Sequence, residues 1–262
     1  ANLSVGEDNT STRYGGILSD GGSATPGALV KTGTGILTLS AANTFAGPTT
    51  INGGQINITA DNNLGAAPAA LDASHLTIND GACLASAKTS GTLSLNANRG
   101  ITLNGLATIV ANSTGAREIT FNCPITGSGS LTLPGVWPDF NVANTFAGDL
   151  IFAQTNNCSI RFNANDSAGL GRIHIMPLTA VGTPNTIRNN APAGISTTIT
   201  NDIFYYESVA HCQNYNIDTA GSAGSFTLSD QITVTATGGV NVNDNPNFGG
   251  AFALSCDSSG FS

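Results

Sequence analysis

Residues able to do chemistry are few in this chain and thinly spread. Cleaving a glycosidic bond takes two carboxyl groups facing one groove, one to protonate and one to attack or to activate water. Here sixteen Asp and Glu are scattered over 262 residues, and the only adjacent acidic pair is Glu7-Asp8. The three histidines, His75, His174 and His211, stand in no metal-ligand or nucleophile spacing. GxSxG, HExxH, P-loop and DxDxDG motifs are absent. Carboxylates on separate strands can still stack into a site through the fold. The residues nevertheless point away from catalysis, and a polysaccharide lyase or hydrolase is the third of three readings.

Two clusters carry interaction chemistry instead. PGVWPDFNV, residues 134–142, holds the only Trp. An exposed Trp137 with Asp139 and Phe140 would stack on a sugar or dock on a neighbouring chain; the alternative is a Trp folded back as a lid. FYYESVAHCQNY, residues 204–215, holds Tyr205, Tyr206 and Tyr215 together with Glu207 and His211. Tyr-rich composition is common at interfaces, and equally fits a longer segment packed on its neighbours. NVNDNPN, residues 241–247, presents side-chain oxygens, but Asp244 alone supplies little charge for calcium, so a polar turn and no cofactor are expected.

The five cysteines, Cys83, Cys123, Cys158, Cys212 and Cys256, form no CxxC or Cys–His pattern. Their odd number leaves at least one thiol free or paired with another chain, and Cys256, in a turn near the chain end, is the candidate for an intermolecular bond.

The elements that must hold these residues are strands. Short segments alternate apolar and polar positions: ILTLS at 36–40, INITA at 56–60, LTIND at 76–80, TLSLN at 92–96, EITFN at 118–122, SIRFN at 159–163. Each reads as a strand with one buried face. Gly, Asn, Asp or Pro usually separates them. Charged residues make up 9% of the chain, against about 25% in an ordinary soluble domain. The polar surface is therefore built from Ser, Thr, Asn and Gly, which suits regular β-structure whose faces carry stacked Asn or Thr. The net charge is −8 with no basic patch, so nucleic acid and anionic membranes are poor partners. No apolar run spans a bilayer. The chain lacks an initiating Met and a signal peptide, and is expected to be processed or cut from a longer one.

One word is written twice: ANTFAG at 42–47 and again at 143–148. A long repeat favours a solenoid over a sandwich or barrel. A parallel β-helix spends roughly 20 residues on a coil and climbs about 4.8 Å, so a 101-residue period makes about five coils and the chain about a dozen.

The stretch from Leu29 to Gly65 resembles the passenger-associated transport repeat of autotransporters and related giant bacterial surface proteins. The matching features run in order: Lys31-Thr-Gly-Thr-Gly35, Leu37-Thr-Leu39, ANTFAG, Thr49-Thr-Ile-Asn-Gly-Gly54 and Leu64-Gly65. A degenerate second copy has GSGSLTL at 127–133, the repeated word, and Leu170-Gly171. Between Leu133 and Asn144 it carries ten residues, where the first copy has three between Leu39 and Asn43. The end, ALSCDSSGFS at 253–262, resembles the start of a third copy.

The resemblance implies an all-β chain, a single right-handed parallel β-helix. Residues 1–65 would be lead-in and first repeat, 66–126 linking coils, 127–171 the second repeat with an inserted loop at 134–142, and 172–262 divergent coils. Asn43 and Asn144 are expected to turn the chain, Phe45 and Phe146 to fill one core slot, and Gly47 and Gly148 to release the next strand. The leading functional reading is a non-catalytic extracellular structural protein, a stalk, coat or filament subunit stacked end to end. Its partners would be copies of itself or further coils of a longer chain. The second reading is an adhesin that binds surface glycans or host proteins. Secretion to the surface of a Gram-negative-type bacterium is what the resemblance implies.

Overall fold

The computed structural model describes residues 2–153 and 159–176, with residues 185–188, 197–205, 215–218, 226–228, 232–234 and 252–254 beyond them; side chains are described for 2–153, 159–176 and 197–204. The alternating segments are strands whose apolar positions face inward. Ile36–Leu39 buries Leu37 and Leu39, and Gln55–Ile58 buries Ile56 and Ile58. Every strand pairing is parallel, so the chain winds as a β-solenoid. The one helical element among the described residues is a 3-10 turn, Asp61–Leu64. No described helix is long and apolar enough to cross a membrane.

The coils have three faces. The first carries six strands, from Asn2–Val5 through Thr49–Ile51, Asp72–Ile78 and Arg99–Leu103 to Ile125–Gly127. The second carries ten, from Thr12–Tyr14 to Ile232–Val234. The third carries six, among them Leu93–Leu95, Glu118–Phe121, Trp137–Phe140 and Ser159–Phe162. A separate three-stranded sheet starts at Thr197–Ile199. Coils differ in length: Leu37 pairs with Ile56, 19 residues on, Ile56 with Leu84, 28 on, and Ile173 with Ile203, 30 on. A uniform 20-residue coil is therefore too short, because corners absorb extra loop without disturbing the ladder.

Register stacks like on like. Inward rows run Leu37, Ile56, Leu84, Ile109 on the second face and Ile51, Ile78, Leu103 on the first. Each fully buried aliphatic side chain contributes about 1.5–3 kcal/mol. On the third face the rings of Phe121, Phe140 and Phe162 stack at 5.0 and 5.7 Å between centroids, tilted by 13° and 12°. Outside, Thr50, Thr77, Thr102 and Thr126 form a row on the first face. Where strands end, amides stack into ladders. Asn79 donates to Asn52 and Asn104 to Asn79 at 2.6 and 2.8 Å; Asn141 donates to Asn122 and Asn163 to Asn141, both at 2.7 Å. An Asn placed just after a strand supplies both donor and acceptor along the stack, which is how so uncharged a surface meets its polar demand.

Two cations are buried among the described residues. Lys31 folds back so that Nζ donates to the carbonyls of Thr32, Gly33 and Gly53, and burial lowers its pKa. Arg99, fully buried, donates Nε and Nη2 to the Asp61 carboxylate at 3.0 and 3.2 Å. Its Nη1 and Nη2 also reach the carbonyls of Leu64 and Gly65, closing the 3-10 turn. Such a pair is held less for net stability than because either partner alone would be a stranded charge.

The two ANTFAG copies sit on different faces. Both openings, 33–39 and 127–133, lead into strands of the ten-stranded sheet, four coil pairings apart. The first word then lies directly between the second and first faces, whereas the second follows the extra strand Trp137–Phe140 and stacks on Ile125–Gly127. Thr145 and Ala147 donate backbone N–H groups to Ile125 and Gly127 at 2.9 Å. The word thus ends the first-face sheet, and strands resume on that side only at Thr197–Ile199, two coils on. The residues expected as a loop, 134–142, supply a full strand, and the period is four coils and one face rather than five coils.

Candidate functional site

The outer side of the third face gathers the described chain's main charged cluster around Trp137. Glu118 lies opposite Trp137 in register, and Asp139 opposite Arg161. Alternation turns Pro138 and Phe140 inward and leaves Trp137 and Asp139 on the outer side. Arg161 Nη1 donates to Asp139 Oδ2 at 3.0 Å and Nη2 to Glu118 Oε1 at 2.9 Å, while Thr92 Oγ1 donates to Glu118 Oε2 at 2.8 Å. The guanidinium thus bridges the carboxylates of the two rungs before its own, a constellation visible only once register brings residues 118, 139 and 161 together.

The two carboxyls respond in opposite directions. Hydrogen bonds from Arg161 and Thr92 lower the pKa of Glu118. Burial raises that of Asp139, and the charge of Arg161 offsets this only in part. Burial works against the charge on Arg161, but its bonds to Glu118 and Asp139 win and raise its pKa.

Trp137 is half-buried and packs on the core beneath it, with the Arg117 guanidinium 4.8 Å from its ring centroid. A cation at that distance is held by the ring quadrupole. Beside the pair runs a cleft lined by Gly91, Thr114, Gly115, Arg117, Glu118 and Trp137. It lies where the chain turns from the second face onto the third.

Not every residue expected at an interaction surface is available to one. Phe140 is fully buried in the Phe121–Phe162 stack, because alternation in a strand points it to the core. Asp139 is tied to Arg161 and mostly covered. Trp137 alone of the three lines a cleft. Tyr205 and Tyr215 fall on strands Ile203–Tyr205 and Tyr215–Asp218, on different faces. Tyr206, Glu207, His211, Asp244 and Cys256 lie outside the described residues. Cys83, on the second face, and Cys123, at the corner between the third and first faces, are free thiols, and burial pushes their pKa values up to about 11 and about 12. Among the described residues no three His, Cys, Asp or Glu converge in a metal-holding group.

The repeat positions tie the coils to one another. Asn43 and Asn144 lie between strands of different faces, and their buried amides bracket coils together. Asn43 Oδ1 accepts the Leu18 N–H and its Nδ2 donates to the Asn63 carbonyl; Asn144 does the same with Ile125 and Ser167. Phe45 and Phe146 each fill a buried slot closed by a glycine of the next coil. A Cβ on Gly65 would lie 2.9 Å from the Phe45 ring, and one on Gly169 2.6 Å from Phe146, with φ at +91° and +83°. Gly47 and Gly148 let the strand behind them approach, their Cβ positions lying 2.3 and 2.4 Å from the carbonyls of Gly27 and Gly129.

Sequence reasoning missed Arg117, Glu118, Arg161 and the Asp61–Arg99 pair. Their only sequence signal is placement on strand or turn positions whose partners lie a coil or two away. No curated protein and no solved structure matches the chain. Residues 29–58 match the family model described as the passenger-associated-transport-repeat, so the segment that starts in the strand ending at buried Lys31 and runs through the first ANTFAG to Ile58 is similar to a repeat of that kind.

Proposed function

We propose that this chain is a non-catalytic structural segment of a bacterial passenger, a rigid β-solenoid outside the cell that docks end to end on further parallel coils. The repeat at 29–58 supports a passenger-type role and, with it, a secreted or surface location. The observation that carries end-to-end docking is the open face of the first described coil. Strands Asn2–Val5 and Thr12–Tyr14 are paired on one side only, by Ala28–Lys31 and Ile36–Leu39. Between them an apolar hollow is lined by Leu3, Val5, Leu18, Leu29, Leu37 and Leu39, and Leu3, Tyr14 and Ile17 are 44%, 39% and 62% exposed.

An unpaired strand edge over an apolar floor accepts another strand of the same twist. The occupant proposed is a coil of a second copy; head-to-tail docking of copies that does not close gives a filament. The Glu118–Arg161–Asp139 constellation fits this reading as a clamp across three rungs, since each carboxylate is committed to the guanidinium. Light scattering and negative-stain microscopy of the purified chain test it. End-to-end association that grows with concentration is expected, and it should be abolished in Leu3→Lys. Rods that stay single at every concentration would count against docking at this edge.

A further inference from the structure

We infer that the cleft beside Trp137 is a binding site for a sugar unit of a surface glycan. The cleft joins four features that carbohydrate recognition uses. The half-buried Trp137 lines the cleft and offers apolar ring area for the C–H groups of a pyranose. The Arg117 guanidinium, 4.8 Å from the indole centroid, is a fixed donor fork. Glu118, whose two carboxylate oxygens each keep a lone pair beyond the bond from Arg161 or Thr92, is an acceptor for adjacent hydroxyls. Thr114 and the small residues Gly91 and Gly115 line the remaining wall, where the absence of side chains brings backbone polar groups within reach of a ligand.

Rigidity adds to the case. Trp137 is seated on the core, and Glu118 is held from two directions, so a ligand need not order them on binding. The cleft opens at a corner, beside the stacked faces. A chain polysaccharide can therefore pass along the rod while one unit enters. Nucleic acid is disfavoured by the net charge of −8.

Trp137 is the only tryptophan, so its fluorescence reports the cleft alone. The chain of 262 residues is screened on a glycan array, and bound glycans are then titrated while indole emission is followed. A saturable change in emission is expected for at least one glycan, with binding lost in Trp137→Ala, weakened in Arg117→Ala and largely kept in Trp137→Phe. Thr102→Ala, on the first face, should bind as the parent does, and circular dichroism with thermal melts checks that each variant is folded. Absence of any array binding overturns the site, as does binding that persists in folded Trp137→Ala or leaves the emission unchanged. Because the readout is the indole, its failure leaves end-to-end docking at Asn2–Val5 untouched.

Discussion

Asn43 and Asn144 make the same bonds one face apart around the solenoid. Each amide oxygen accepts a backbone N–H from the coil before, at 2.8 and 2.7 Å, and each amide nitrogen donates to a carbonyl of the coil after. The repeated word is therefore a portable bracket between coils, usable on whichever side of the body the chain has reached.

Asn144→Ala should leave the buried Ile125 N–H and Ser167 carbonyl without partners, at a cost of about 1–3 kcal/mol for each group left unsatisfied. Asn43→Ala should do the same to Leu18 and Asn63. The sites lie coils apart and share no partner, so the double variant should be additive in urea denaturation. Amide exchange at Ile125 should accelerate in Asn144→Ala and stay unchanged in Asn43→Ala; a common response of both amides would contradict the local bracket.

Phe140→Ala should destabilise by about 3–5 kcal/mol, because the ring lies stacked between Phe121 and Phe162 and the remaining rings close only part of the gap. If residues 134–142 were a surface loop, the same change would fall within about 0.5 kcal/mol. Denaturation midpoints of parent and variant separate the two outcomes.

Arg99→Met should cost about 3–5 kcal/mol by stranding the Asp61 carboxylate in a largely covered site. Converting Asp61 to Asn in the same chain should recover part of that loss. A double-mutant cycle in which the two changes simply add would show that the pair is not the unit the geometry describes.

His75 makes the fold sensitive to mild acid. Its ring is buried, with Nδ1 3.3 Å from Asp72 Oδ2. Burial, helped by the charge of Arg99 and opposed by Asp72, lowers its pKa below the ordinary 6.5. The unfolded chain therefore takes up a proton more readily than the folded one. The stability this group supports is complete above 6.5 and is lost as the pH falls through that value toward the folded pKa. Melting temperature should drop between about pH 7.5 and about pH 5.5, and drop less in His75→Gln. An equal drop in both proteins would place the sensitivity elsewhere.

Much of this architecture was legible in the residues alone. Alternation fixes which side of a strand is buried: Leu37, Ile56 and Phe121 announce themselves as core by their spacing. Starved charge with abundant Asn, Ser and Thr announces a surface of stacked neutral polar groups, and the ladders of Asn52, Asn79 and Asn104 are what that composition builds. Lys31-Thr-Gly-Thr-Gly35 and ANTFAG mark the repeat because a turn closed by a buried lysine and a coil bracket closed by a buried amide each demand particular side chains. Those are local properties, and local sequence is enough to specify them.

Register and face are not local. A strand of four residues says which of its side chains point in but not which side of the solenoid it occupies, since each corner can absorb a different length of loop. PGVWPDFNV therefore reads as a loop until Phe140 is seen between Phe121 and Phe162, and its extra strand moves the second ANTFAG one face round. Glu118, Asp139 and Arg161, separated by about a coil each, carry no shared motif; stacking at the interstrand spacing of about 4.8 Å makes them neighbours. The sequence by itself determines that the chain winds and what each turn buries, while only the tertiary structure decides which residues meet across coils, because coil length is set by the corners and not by the pattern within a strand.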